Sequence, residues 1–328
     1  MNLRWSTAVW LTAVVGNGAC DCGQHRIDTA DGRTRTYRVH RPAGELPGPF
    51  PVVLVLHGGG GNGAQTQESL TFDDLADTHG FLAVYPDGTG RRVLGTLFGT
   101  WNSDEECCGP AQSEGVDDVA FLDAVIDDVG AHHDGDVEQV FVAGLSNGGN
   151  MAHRMACERA DRIDGIVAVG APRVIATCAP TRPVPVLILH GTDDPCALYD
   201  GGAACGGCFS AALADLGVGN GDDADDRFSC TAAPAVAAGW RARNACADAP
   251  STITFAQGQT ACETWAEGCA GADVTLCTVG GGGHSWPGVA RDCDGRRVCE
   301  AVADATGPVS LDIDGPAEAW RFFAAHRP

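Results

Sequence analysis

The 328-residue chain sets 43 acidic against 21 basic side chains, a formal charge of -22, which repels phosphate backbones and anionic lipid surfaces and argues for a neutral partner. Its 44% hydrophobic content fills one large core rather than two full domains. Every basic residue is arginine, and the lack of lysine excludes Schiff-base chemistry, pyridoxal phosphate anchoring and a P-loop.

At the amino end, Arg4, the apolar stretch Ala8 to Val15 and the small residues Gly16, Gly18 and Ala19 read as a signal peptide over residues 1–22. The stretch is too short for a permanent membrane span, and no transmembrane segment follows. Gly18-Ala19-Cys20 leaves lipoprotein-type processing as the alternative to free secretion. Six short apolar runs come next: Phe50 to Leu56, Phe81 to Tyr85, Val137 to Ala143, Ile163 to Val169, Val184 to Leu189 and Val274 to Val279. Rich in β-branched residues, they suit strands covered on both faces. Val116, Val119, Leu122, Val125, Ile126 and Val129 recur at helical steps and predict a helix packed on those strands.

Alternation of this kind predicts an α/β domain over 23–328 with a mostly parallel sheet between two helical layers. Two regions break it. Residues 196–234, rich in Gly, Ala, Asp and Cys, form a disulfide-rich insertion. Asp292 to Gly315 holds two Asp-x-Asp-Gly snippets that lack the remaining ligands of a calcium loop, so no metal is expected. A helix from Pro316 to His326, with Trp320 and Phe323 on one side, closes the domain.

Sixteen cysteines in one chain indicate disulfides and an oxidising compartment. The single C-x-x-C, Cys205 to Cys208, has no second pair at zinc spacing. Expected bridges are Cys157 with Cys178, Cys246 with Cys269, and Cys293 with Cys299. Cys107 and Cys108 are expected to take separate partners, because a bridge between neighbours is strained.

Four loops carry the chemistry. Gly144-Leu145-Ser146-Asn147-Gly148 follows a strand and opens a helix, the context of a nucleophile elbow in which only glycine fits two residues either side of the serine. His57-Gly58-Gly59-Gly60-Gly61 also follows a strand, where a backbone N–H of Gly59 or Gly60, together with that of Asn147, can hold an oxyanion. Two aspartates, Asp193 and Asp194, stand past the run ending in Leu189, and Asp194, four residues after His190, has the spacing that hydrolases resembling this pattern usually show for the acid. His284, on the glycine-rich loop after the last strand, completes the order serine, acid, histidine. Trp286, Trp101 and Asn102 are candidates to line the acyl or alcohol pocket, with core packing the competing reading for Trp101.

The pieces LHGGGGN at 56, WN at 101, CCGPA at 107, VDDVAFLDAVID at 116, GLSNGGNMAHRMACE at 144, PVPVLILHGTDDP at 183 and GGGGHSWPG at 280 together resemble the bacterial esterase and polyhydroxybutyrate depolymerase family, which includes feruloyl esterases. The resemblance covers about residues 35–290. It implies an α/β-hydrolase fold and extracellular ester hydrolysis through Ser146, Asp194 and His284, with no cofactor. The expected substrate is a small or oligomeric hydroxyalkanoate ester, with feruloyl esters as the alternative, and the expected enzyme is a monomer without nucleic-acid partners. A peptidase of the same fold and a non-catalytic binding protein on a hydrolase scaffold are the rival readings.

Overall fold

A computed structural model describes residues 23–327 other than 45, 94, 104–108, 174–176, 207, 209–226, 292 and 296. The signal-peptide reading, Cys20, Cys107, Cys108 and about half of the insertion therefore lie outside the described residues. The strands are β1 (Gln24–Asp28), β2 (Thr34–His40), β3 (Phe50–Leu56), β4 (Leu82–Pro86), β5 (Thr89–Val93), β6 (Thr96–Thr100) and β7 (Gly135–Leu145). They continue as β8 (Gly165–Val169), β9 (Val186–Gly191), β10 (Gly202–Gly206), β11 (Arg227–Cys230), β12 (Thr252–Gln257), β13 (Thr260–Trp265) and β14 (Val274–Val279).

Ten of them form one sheet in the order β1-β2-β4-β3-β7-β8-β9-β14-β13-β12. Its centre, β4 to β14, is parallel, and each edge is finished by an antiparallel pair. The centre is parallel because its strands are apolar on both faces. In β3, Val52, Leu54 and Leu56 enter one core while Val53 and Val55 enter the other. Helices Asp118–His132 and Asn147–Glu158 cover the first face with Phe121, Leu122, Val125, Met151 and Met155. Phe72–His79 and Gly315–Ala325 cover the second with Phe72, Ala76, Trp320 and Phe323. Among the described residues no helix is long and apolar enough to cross a membrane.

Two features fix loops at the carboxyl rim of the sheet. A small hairpin, β5 with β6, docks on the glycine loop through Gly60 N–H to the Gly99 carbonyl (2.8 Å) and Gly99 N–H to the Gly61 carbonyl (2.9 Å). The start of the insertion is stapled by Cys196–Cys208 and Cys205–Cys230, the second bridge tying β10 to the end of β11. Disulfides also join Cys157–Cys178, Cys246–Cys269, Cys262–Cys277 and Cys293–Cys299. Three of the six pairings had no signal in spacing, because their partners meet only once the sheet and the insertion are folded.

Candidate active site

The strands β3, β7, β8, β9 and β14 are neighbours, so the loops leaving their carboxyl ends converge on one rim, the usual place for a site in an open parallel sheet. β7 delivers Ser146 into a turn with φ 57° and ψ -121°, a costly conformation for a residue with a Cβ. The surroundings hold it there. Ser146 N–H donates to the Val169 carbonyl at 2.8 Å, and its own carbonyl accepts from Asn150 N–H at 2.8 Å. Glycine supplies the room: a Cβ on Gly144 would stand 2.3 Å from the Gly148 carbonyl oxygen, and one on Gly148 only 2.4 Å from that of His57.

The same corner carries the histidine and the acid. Val169, which holds Ser146, is followed by Gly170, where an added Cβ would meet His284 Nδ1 at 3.0 Å and Asp194 Oδ2 at 3.1 Å. His284 Nδ1–H donates to Asp194 Oδ2 at 2.7 Å, with both residues buried. The other carboxylate oxygen accepts from Cys196 N–H at 2.8 Å and Ala197 N–H at 2.7 Å. Burial pushes the Asp194 pKa up, but His284 and the Ala197 N–H outweigh it and hold the carboxyl below its ordinary value. With the ring proton on Nδ1, the lone pair lies on Nε2, which is buried without a hydrogen-bond partner among the described residues. That leaves one ring nitrogen able to accept a proton.

His190 braces this arrangement from behind. Its Nε2–H donates to the Ala197 carbonyl at 2.7 Å, and burial lowers its pKa, so a neutral ring anchors the turn that presents Asp194.

On the opposite side, His57 pins the glycine loop. Its Nδ1–H donates to the Gly58 carbonyl and its Nε2 accepts from Gly88 N–H, both at 2.8 Å, and burial pushes its pKa down to about 4. The loop lies against the elbow: a Cβ on Gly58 would be 3.6 Å from Ser146 Cβ, and one on Gly59 3.8 Å from Asn147 Cβ. Asn147 opens its helix, where first-turn N–H groups lack intrahelical acceptors and the dipole favours negative charge. Its side chain is clamped by the residue-101 backbone, accepting from Trp101 N–H at 2.6 Å and donating to the Trp101 carbonyl at 2.9 Å. Gly60 is a correction. Its N–H is committed to Gly99, which leaves the N–H groups of Asn147 and Gly59 as the candidates for holding an oxyanion.

Two of the three pocket candidates are corrections too. Trp101 is fully buried and donates its indole N–H to the His57 carbonyl at 2.9 Å. Trp286 is 4% exposed and packs edge-on against Phe72, on the core side of the histidine loop. Asn102 donates its backbone N–H to Asp118 and its side-chain N–H to the Val116 carbonyl. Trp101 and Trp286 build the frame of the site, while Asn102 is half-buried and remains a pocket candidate.

Sequence reasoning missed several frame residues. Gly170 had a signal, a glycine directly after the strand Ile163 to Val169. The buried pair Arg35 and Asp118 had none, since 83 residues separate them. Arg35 Nη2 donates to Asp118 Oδ1 at 2.7 Å and lies over the Phe121 ring, while Asp118 Oδ2 takes the Asn102 N–H at 2.7 Å. Burial raises the Asp118 pKa. Asp194, Cys196 and His284 bring O, S and N atoms within 4.8 Å of one another, but the sulfur is bonded to Cys208 and Nδ1 donates to the acid, so they do not form a metal ligand set. Of the Asp-x-Asp-Gly residues, Asp312 accepts from Gln259 N–H and Asp314 caps the last helix.

The family model described as Esterase PHB depolymerase matches residues 35–211. NocK of Nocardia uniformis subsp. tsuyamanensis, named as an esterase, is 32% identical over 265 residues, covering 78% of this chain and 72% of its own length. Feruloyl esterase B of Piromyces equi is 26% identical over 244 residues, or 72% of this chain, which spans only 39% of that protein. Among solved structures, acetyl xylan esterase from Aspergillus awamori superposes with a TM-score of 0.53 at 15% identity, over 86% of this chain and all of that one, a likeness of fold.

Proposed function

The chain belongs to the Esterase PHB depolymerase family and is a carboxylic ester hydrolase of the α/β-hydrolase fold; from that premise we propose an exported serine esterase that cleaves hydroxyalkanoate oligoesters through Ser146, His284 and Asp194. One observation carries the catalytic part: the buried Asp194–His284 pair, with Nε2 unpaired, shares the Val169–Gly170 corner with the strained Ser146.

In this reading His284 Nε2 takes the Ser146 hydroxyl proton as the oxygen attacks the ester carbonyl. The N–H groups of Asn147 and Gly59 hold the oxyanion, and His284 returns the proton to the departing alcohol. Asp194 keeps the proton of the resting ring on Nδ1 and balances the imidazolium that forms. Water then repeats the sequence on the acyl-enzyme. Six disulfides in the described residues support the oxidising compartment that export provides.

The relatives named as feruloyl esterases support a second reading of the acyl group, an aromatic acid. A panel of hydroxybutyrate oligomers, methyl ferulate and short nitrophenyl esters separates the two. Ser146→Ala is expected to abolish hydrolysis of all of them and labelling by a serine-reactive phosphonate. Full activity in that variant refutes the nucleophile, and absence of labelling in the parent favours a binding protein.

A further inference from the structure

We propose that Arg291 is a positioning residue for His284, tying the backbone of the histidine to Thr306 and so setting where the imidazole stands. The inference rests on the base role of His284 proposed above. The histidine loop runs beside the end of the helix Arg297–Thr306 and the residues after it. Gly283 N–H donates to the Pro308 carbonyl and His284 N–H to the Thr306 carbonyl, both at 2.6 Å. The fit leaves no slack, since a Cβ on Gly283 would lie 2.3 Å from the Thr306 carbonyl oxygen.

Those two bonds hold one side of the histidine backbone. Arg291 holds the other. Its Nη2 donates to the His284 carbonyl at 3.3 Å and its Nη1 to the Thr306 hydroxyl oxygen. The Thr306 hydroxyl spends its own proton on the Val302 carbonyl at 2.7 Å, so its lone pairs face the guanidinium. Thr306 is 2% exposed and cannot turn away to water.

The chemistry asks for arginine, because two donors at a fixed spacing in one plane bridge two acceptors that a single ammonium reaches only one at a time. With both its N–H and its carbonyl engaged, His284 keeps only its side-chain torsions, and the bond to Asp194 fixes those. The Cys293–Cys299 bridge links the stretch just after Arg291 to the start of the same helix, so the bracket closes on itself.

A cleft of about 520 Å³, lined by Arg291, Ala303, Gly307 and Pro308, opens beside the guanidinium. It makes the inference testable by chemical rescue. In Arg291→Ala, kcat for a nitrophenyl ester is expected to fall about 10-fold to 100-fold with KM little changed, the signature of a displaced catalytic group. Phosphonate labelling should slow in parallel. Millimolar guanidinium is expected to restore part of the rate in Arg291→Ala and none in the parent, and Arg291→Lys should fall between the two.

An unchanged kcat in Arg291→Ala, or a loss that guanidinium leaves untouched, overturns the inference. If the alanine variant does not fold, Arg291→Lys against the parent carries the same kcat and KM comparison. Loss of activity in Ser146→Ala with an unaffected Arg291→Ala sinks the positioning role alone, whereas an active Ser146→Ala sinks the reading beneath it.

Discussion

Two buried histidines outside the proposed triad predict that mild acid destabilises this protein before most of its carboxylates protonate. His153 Nδ1 accepts from the Trp240 indole N–H at 3.0 Å, and His57 Nε2 accepts from Gly88 N–H at 2.8 Å. Each acceptor nitrogen faces a donor that cannot reverse its role, so protonation there sets N–H against N–H in a site without water. Burial is the first cause in both cases and pushes each pKa from 6.5 down to about 4. Between those values the unfolded chain binds one more proton per ring than the folded chain does. Stability is therefore complete above about pH 6.5 and declines as pH falls toward 4. A shift of about 2.5 units at 1.36 kcal/mol each is about 3 kcal/mol per ring, and at about pH 4.5 some 2.5 kcal/mol of it is already lost. Two such rings remove an amount comparable with the whole stability of many domains, about 5–15 kcal/mol.

Urea unfolding of the parent and of His153→Gln at about pH 7 and about pH 4.5 isolates one ring, since glutamine offers Trp240 an acceptor that does not titrate. The variant should lose about 2.5 kcal/mol less than the parent across that interval. Equal losses in the two proteins would refute the argument, and a larger loss in the variant would reverse it.

Three further outcomes follow from the frame of the site. Asp118→Ala leaves the Arg35 guanidinium buried without its counter-charge and should cost about 3–5 kcal/mol in urea unfolding, far more than an exposed pair would. Gly148→Ala drives a Cβ into the His57 and Leu56 carbonyl oxygens, so soluble expression or, failing that, esterase activity should be lost, while the same change at exposed Gly271, which meets no atom within 4 Å and strains only its own left-handed φ of 87°, should lower stability slightly and spare activity. Replacing Cys196 and Cys208 together by serine frees the segment whose N–H groups hold Asp194, and kcat should fall at least about 10-fold while the urea midpoint moves modestly.

The central strands were legible because a strand buried on both faces must be apolar at every position, and runs such as FPVVLVL admit few other readings. The sheet edges were not. β1 is QHRID, wholly polar at its exposed positions, and β12 faces solvent along most of its length with only Ile253 and Phe255 in alternation, too short a pattern to read as a strand. At the site, residue types and their order after each strand pointed to Ser146, Asp194 and His284, which the structure gathers at one rim. Gly60, Trp101 and Trp286 misled because a sequence names a residue but not the partner that folding gives it. Gly60 is taken by Gly99 and Trp101 by His57, both across turns that only folding closes. The Arg35–Asp118 pair and the Arg291 bracket stayed hidden for the same reason.

Gly170 ties the fate of the whole apparatus to one point. The main chain there supports the serine turn through its neighbour and leaves no comfortable room for a side chain beside ring and carboxylate. A tilt of that strand tip would shift the surroundings of Ser146, His284 and Asp194 together, like instruments bolted to a single bench. A side chain at that glycine is therefore expected to disturb all three at once.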